Sequence, residues 1–152
     1  MTHHTQTADT ITMRIPSRLE LLSVLDRVTD SLCERMDFDD DSRSRVTMSV
    51  IEAGTNAIQH GHRRDPSKPV DIEFHVLPDA LEILVHDSGK GFDLSKVNGN
   101  ITTPEHLLDV RGRGIYIMRE CMDTVEYTFS KSGTTCRLVK KRPPLTQVAN
   151  DS

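Results

Sequence analysis

The chain has 152 residues, with 19 Lys and Arg against 23 Asp and Glu and a formal net charge of -4. That length suits one globular domain with a sizeable core and leaves little room for a second. The mild acidic excess and scattered basic residues argue against direct nucleic-acid binding, which relies on a basic stripe to displace counterions from phosphate.

Residues 1–9 read as a flexible N-terminal arm, and Ile11, Met13 and Ile15 then alternate with polar residues as a first strand that Pro16 ends. Ser17 and Glu20 fit a capping box, and Leu21, Leu22, Leu25, Val28 and Leu32 recur at helical spacing to about Met36. Asp39, Asp40 and Asp41 suit the start of a second helix, which runs to Gly61. Val70, Ile72, Phe74 and Val76, a turn at Pro78-Asp79, and Leu81, Ile83 and Val85 predict a hairpin ending at Asp87.

Residues 88–111 are punctuated by Gly, Pro, Asn and Thr, with a weak helical hint at Glu105 to Leu108, and read as a long functional loop. A third helix over Gly112 to Met122 precedes strands over Thr124 to Phe129 and Thr134 to Val139, joined by a turn at Lys131 to Gly133. Pro143-Pro144 opens a C-terminal tail over 143–152, leaving 10–142 as the domain. This order predicts an α/β (α+β) two-layer sandwich: a mixed, mostly antiparallel sheet with its helices on one face.

Cys33, Cys121 and Cys136 form no Cys-x-x-Cys pair and fall in apolar or strand-like patterns, so packing is expected of them and a reducing cytoplasm suits them. The polar start, Met1 to Thr10, lacks the apolar centre of a signal peptide, and no run approaches the roughly 18 apolar residues of a membrane span. No membrane association is expected.

Three clusters carry chemistry. Glu52 and Asn56 sit four residues apart on one helical stripe, where an amide oxygen suits Mg²⁺ and a carboxylate can take a proton from an attacking hydroxyl. In Asp87-Ser88-Gly89-Lys90-Gly91 a strand-ending carboxylate can accept from the exocyclic amine of adenine, while Gly89 and Gly91 let backbone pass close to the ring. Guanine presents an acceptor there, so adenine is expected. Arg111-Gly112-Arg113-Gly114 offers backbone N–H groups to anions at a helix start, with Arg111 or Arg113 adding charge. The spacing fits neither a P-loop nor a dinucleotide fingerprint.

These clusters, in this order, resemble the N, G1 and G2 boxes of the GHKL ATPase and kinase superfamily. Glu52-Ala53-Gly54-Thr55-Asn56-Ala57-Ile58-Gln59-His60-Gly61, Asp87-Ser88-Gly89-Lys90-Gly91-Phe92-Asp93 and Arg111 to Met118, then Met122-Asp123, look most like anti-sigma factor serine kinases of the RsbW type over residues 10 to 142. The resemblance implies the Bergerat ATP-binding fold, with ATP and Mg²⁺ as cofactors. It makes Glu52 the general base, Asn56 the Mg²⁺ ligand and Asp87 the adenine contact. Gly89, Gly91, Gly112 and Gly114 become nucleotide-loop positions, Thr134 a hydroxyl near adenine with Thr135 its less certain neighbour, and Asp93 to Val110 the ATP lid.

The implied activity is ATP-dependent phosphorylation of serine or threonine on an anti-anti-sigma factor, with a sigma factor as second partner and homodimers common in the group. Stress-response control of transcription by partner switching is the implied role. Two other readings stay open: a nucleotide-dependent binding module without catalysis, and a detached histidine-kinase-type catalytic domain. His60-Gly61-His62 reads as helix-end hydrogen bonding rather than a metal site.

Overall fold

The computed structural model describes residues 9–96 and 110–142. Strand β1 spans Asp9–Ile15, helix α1 Leu22–Arg35, helix α2 Asp40–Thr55, β2 Val70–Val76, β3 Ala80–Asp87, helix α3 Val110–Cys121, β4 Thr124–Ser130 and β5 Gly133–Lys141. The tail over 143–152, the arm up to residue 8 and the helical hint at Glu105 to Leu108 lie outside the described residues.

The strands form one sheet in the order β1-β2-β3-β5-β4, and the mostly antiparallel pairing expected holds at all four neighbouring pairs. Connection length explains this. Two helices between β1 and β2 carry the chain away and back, so β2 starts at the end where β1 stops. Between β3 and β4 the chain passes through helix α3, those two strands run in the same direction, and β5 lies between them as an antiparallel neighbour of both.

Alternation gives the sheet two faces. Val70, Ile72, Phe74, Leu81, Ile83, Val85, Cys136 and Leu138 are buried against Leu25, Val46, Val50, Ile58, Ile115 and Met118 of the helices. Phe74 is fully buried, so trimming it to Ala would cost about 3–5 kcal/mol. Asp71, Glu73, His75, Glu82, His86, Thr135 and Arg137 point the other way and stay partly exposed.

Two helix ends depart from expectation. The Ser17 and Glu20 capping box does not form: a short 3-10 turn, Leu19–Leu21, precedes α1, and its flanking Arg18 makes no side-chain capping bond. Ser17 is buried instead and donates its hydroxyl to the Lys68 carbonyl at 2.5 Å, a partner a buried hydroxyl needs more than a helix end does. Asp39, by contrast, caps α2 by accepting from the Ser42 amide at 2.7 Å. The second helix does reach Gly61, but Asn56–Gly61 is a π-turn, closed by the His62 amide on the Ala57 carbonyl at 2.9 Å. Such wide turns recur at functional sites, and this one spaces Asn56, His60 and Gly61 around one cavity.

Candidate functional site

The site lies where the end of α2 faces the edge of β3 and β5. Asp87 and Thr134 are cross-strand partners there, and both are buried on the helix-covered face. Asn56, Ala57, His60, Gly61, Asp87, Gly91, Phe92, Arg111, Tyr127 and Thr134 line a narrow cavity of about 20 Å³. Arg111 stacks over Phe92 at 4.3 Å from the ring centroid, and Phe92 meets Tyr127 and Phe129 edge-on.

Glycine is required at several points of this wall. A methyl at Gly61 would fall 2.5 Å from the Asp87 carboxyl, and one at Gly89 would fall 2.6 Å from the Gly61 carbonyl oxygen. Gly91 has φ +80° and leaves room only for the Phe129 ring. At the opposite end, a methyl at Gly114 would lie 2.6 Å from Glu52 Oε2 and 3.7 Å from Asn56 Nδ2. Thus the Gly112-x-Gly114 segment meets the Glu52 and Asn56 stripe, and Asn56 joins that end to the cavity holding Asp87, Gly91 and Thr134. The three clusters converge. One boundary shifts: α3 starts at Val110, so Gly112 and Gly114 lie within its N-terminal end rather than before it.

The polar groups are poised rather than satisfied. Burial pushes the Glu52 carboxyl above its ordinary range, opposed by the positive charge of Arg113. Burial also raises Asp87, opposed by the Gly89 amide that its Oδ1 accepts at 2.8 Å. Asn56 Nδ2 donates to the Tyr127 hydroxyl at 3.4 Å, which leaves Oδ1 as its oxygen for a cation. Thr134 Oγ1 is buried without any hydrogen-bond partner. Thr135 faces the other way and meets His86 Nδ1 at 2.8 Å, so of the two neighbours only Thr134 reaches the site.

Sequence reasoning missed Phe92 and Tyr127 as cavity walls. Their signal was the alternation of Val125, Tyr127 and Phe129, which turns an aromatic row on β4 toward the loop after β3. It placed His62 at a helix end, and its amide does close the π-turn, but its ring is 2 % exposed and bonds Ser17 and Ser88. Cys33, Cys121 and Cys136 are free and buried, and burial pushes the Cys33 and Cys136 thiols up to about 12, which suits packing.

A five-stranded antiparallel sheet under a helical layer, with a glycine-walled cavity at the end of the second helix, defines the class of histidine-kinase-type ATPase domains. The chain belongs to that family: residues 15–140 match the histidine kinase-like ATPase domain, a GHKL fold. It is 33% identical over 138 residues to serine-protein kinase RsbW of Bacillus subtilis (strain 168), covering 88% of this chain and 86% of the relative. RsbW of Bacillus cereus (strain Q1) is 29% identical over 146 residues, covering 93% and 89%.

Among solved structures, the RsbU and RsbW domains of a Mycobacterium tuberculosis protein superpose with TM-score 0.63 at 12% identity, covering 90% of this chain and 34% of that longer one. The catalytic domain of histidine kinase ThkA gives TM-score 0.55 at 15% identity, covering 88% and 99%. Both likenesses concern the fold. Among the described residues, no helix is long and apolar enough to cross a membrane.

Proposed function

We propose that the protein is a cytoplasmic serine/threonine-protein kinase that binds ATP with Mg²⁺ in this cavity and phosphorylates an anti-anti-sigma partner. The partner's modification state then decides whether this protein holds a sigma factor. The carrying observation is the close approach of Gly114 to Glu52 and Asn56, where an added methyl would fall 2.6 Å and 3.7 Å from their side chains; it brings a proton acceptor and a cation-binding amide beside the N-terminal end of α3. Relatives of about 33% identity named serine-protein kinases support the same reading.

The fit to adenosine rests on unmet needs of the protein. Asp87 keeps Oδ2 available beyond its bond to Gly89, and Thr134 holds a buried hydroxyl with no partner; an adenine amine and ring nitrogen answer both. Phe92, with Arg111 stacked on it, forms a wall of the cavity against which the adenine ring would lie. ATP would supply the phosphoryl group, and Mg²⁺ would neutralise its developing charge.

Among the described residues no three His, Cys, Asp or Glu side chains are grouped to hold a metal. Asn56 Oδ1 would be the protein oxygen that holds Mg²⁺, which readily keeps phosphate and water oxygens as its other ligands. The N-terminal end of α3, at Gly112 and Gly114, would set the positive end of the helix dipole near the phosphates. Glu52, already raised by burial, accepts the proton of the attacking hydroxyl.

The test is transfer itself. Purified protein with radiolabelled Mg-ATP and a candidate anti-anti-sigma protein should yield phosphoserine or phosphothreonine. Glu52→Gln should bind nucleotide yet transfer about 10²–10⁴-fold more slowly. Transfer by Glu52→Gln at the native rate would overturn the assignment.

A further inference from the structure

His62 is more deeply buried than any polar side chain the chemistry above requires, at 2 % exposure. Its Nε2 accepts the Ser88 amide at 2.8 Å and lies 3.0 Å from the Ser88 hydroxyl. Its Nδ1 lies 2.9 Å from Ser17 Oγ, whose own hydrogen goes to the Lys68 carbonyl. The directions fix the tautomer. An amide can only donate, so Nε2 carries the lone pair; Ser17 has spent its hydrogen on Lys68, so Nδ1 carries the proton.

The ring therefore ties three segments together: the exit of β1 at Ser17, the turn after α2, and the loop after β3. That loop begins with Asp87. Its next two amides are both held, Ser88 by His62 and Gly89 by the Asp87 carboxylate itself. Gly61 and Gly89 approach so closely that a methyl on either would collide with the other segment.

We infer that His62 is a positioning residue for nucleotide binding: a neutral imidazole strut that holds the Asp87-Ser88-Gly89 turn in the shape that receives adenine. The inference rests on the nucleotide reading above and adds a residue to it.

The full chain is tested with two substitutions. His62→Phe fills the space without bonds, and His62→Gln keeps one acceptor and one donor. With Mg-ADP as probe and calorimetry as readout, His62→Phe should weaken binding about fivefold to tenfold, and His62→Gln should recover it to within about twofold of native. Amide hydrogen exchange at Ser88 and Gly89 in the ligand-free protein should quicken in His62→Phe and not in His62→Gln.

Native binding and native amide exchange in His62→Phe would overturn the strut, leaving the ring as packing alone. A native protein that ignores Mg-ADP while His62→Phe still quickens exchange would sink the nucleotide reading and leave the strut standing. Should His62→Phe fail to fold, Ser17→Ala, which removes the partner of Nδ1, decides: native affinity together with native exchange at Ser88 and Gly89 would overturn the inference.

Discussion

The two faces of one sheet are treated differently by the same strands. On the open face a ladder crosses four strands: Glu73 to His75 at 2.8 Å, His75 to Glu82 at 2.7 Å, Glu82 to Arg137 at 2.6 Å and Arg137 to Glu126 at 3.1 Å. Arg14 on Asp71 and Thr135 on His86 extend the pairing. On the covered face, one residue along β5, the Thr134 hydroxyl has no hydrogen-bond partner, and Asp87 and Glu52 are held above their ordinary range by burial. A folded protein normally satisfies its buried polar atoms. Where the same strands satisfy exposed groups and leave buried ones wanting, the deficit marks a place shaped for something else to fill.

The sharpest break of that comparison is Glu52→Gln. Phosphoryl transfer to the partner protein should fall by about 10²–10⁴-fold, with Mg-ADP affinity little changed. Ligand-free stability should rise as well. A carboxyl whose folded pKa is raised contributes stability below its unfolded pKa and loses it as pH rises through the folded value, so at neutral pH the ionised group is a liability that an amide removes. Thermal melts at pH 7 check this, and a lower melting temperature would show Glu52 to be a structural anchor. Asp87→Asn comes next: it should weaken Mg-ADP binding about tenfold to a hundredfold, the span of a hydrogen bond to a charged group, while stabilising the empty protein by the same sign argument.

Thr134→Val tests the orphan hydroxyl. It should reduce Mg-ADP affinity about fivefold and raise ligand-free stability by about 1 kcal/mol, because a buried group without a partner is replaced by an apolar one of the same shape. Chemical denaturation with and without Mg-ADP measures both at once. A loss of stability without ligand would mean that Thr134 is already satisfied, and the contrast between the faces would fail at its clearest point.

Much of this contrast was legible in residues alone. Period-two alternation over Val70 to Val76 and Leu81 to Asp87 marked both faces of the hairpin, and the Glu52 and Asn56 spacing marked one stripe of a helix. The choice of Thr134 over Thr135 follows from the same alternation once the register of β5 on Asp87 is known. That register was not legible, because β5 pairs with β3 across a stretch of chain that holds a helix and another strand. The capping box failed for a related reason. Ser17 is local in sequence to Glu20, but its partners are His62 and Lys68, 45 and 51 residues away, and tertiary contacts outrank a local motif of modest energy. Phe92 and Tyr127 were visible as apolar residues without a known place, since strand pairing and a loop path had to bring them together.

The smallest expected effect lies on the satisfied face. Both ring nitrogens of His75 meet carboxylates, Glu73 through Nε2 and Glu82 through Nδ1, so both must donate and the ring must be the imidazolium. Its pKa is accordingly raised, first by the hydrogen bond to Glu73 and then by the charges of both acids against a cost of burial. A raised histidine contributes in full below its unfolded pKa of about 6.5 and loses that contribution as pH climbs through the folded value. His75→Gln should therefore cost a few tenths of a kcal/mol at pH 6, discounted because the ladder is partly exposed, and less at pH 9. Denaturant midpoints at the two pH values measure the difference. Mg-ADP affinity should stay within about twofold of native, because the ladder already satisfies itself and owes nothing to a ligand. If His75→Gln disturbed nucleotide binding as Asp87→Asn does, the sheet would be transmitting between its faces and the division drawn from its hydrogen bonds would be wrong.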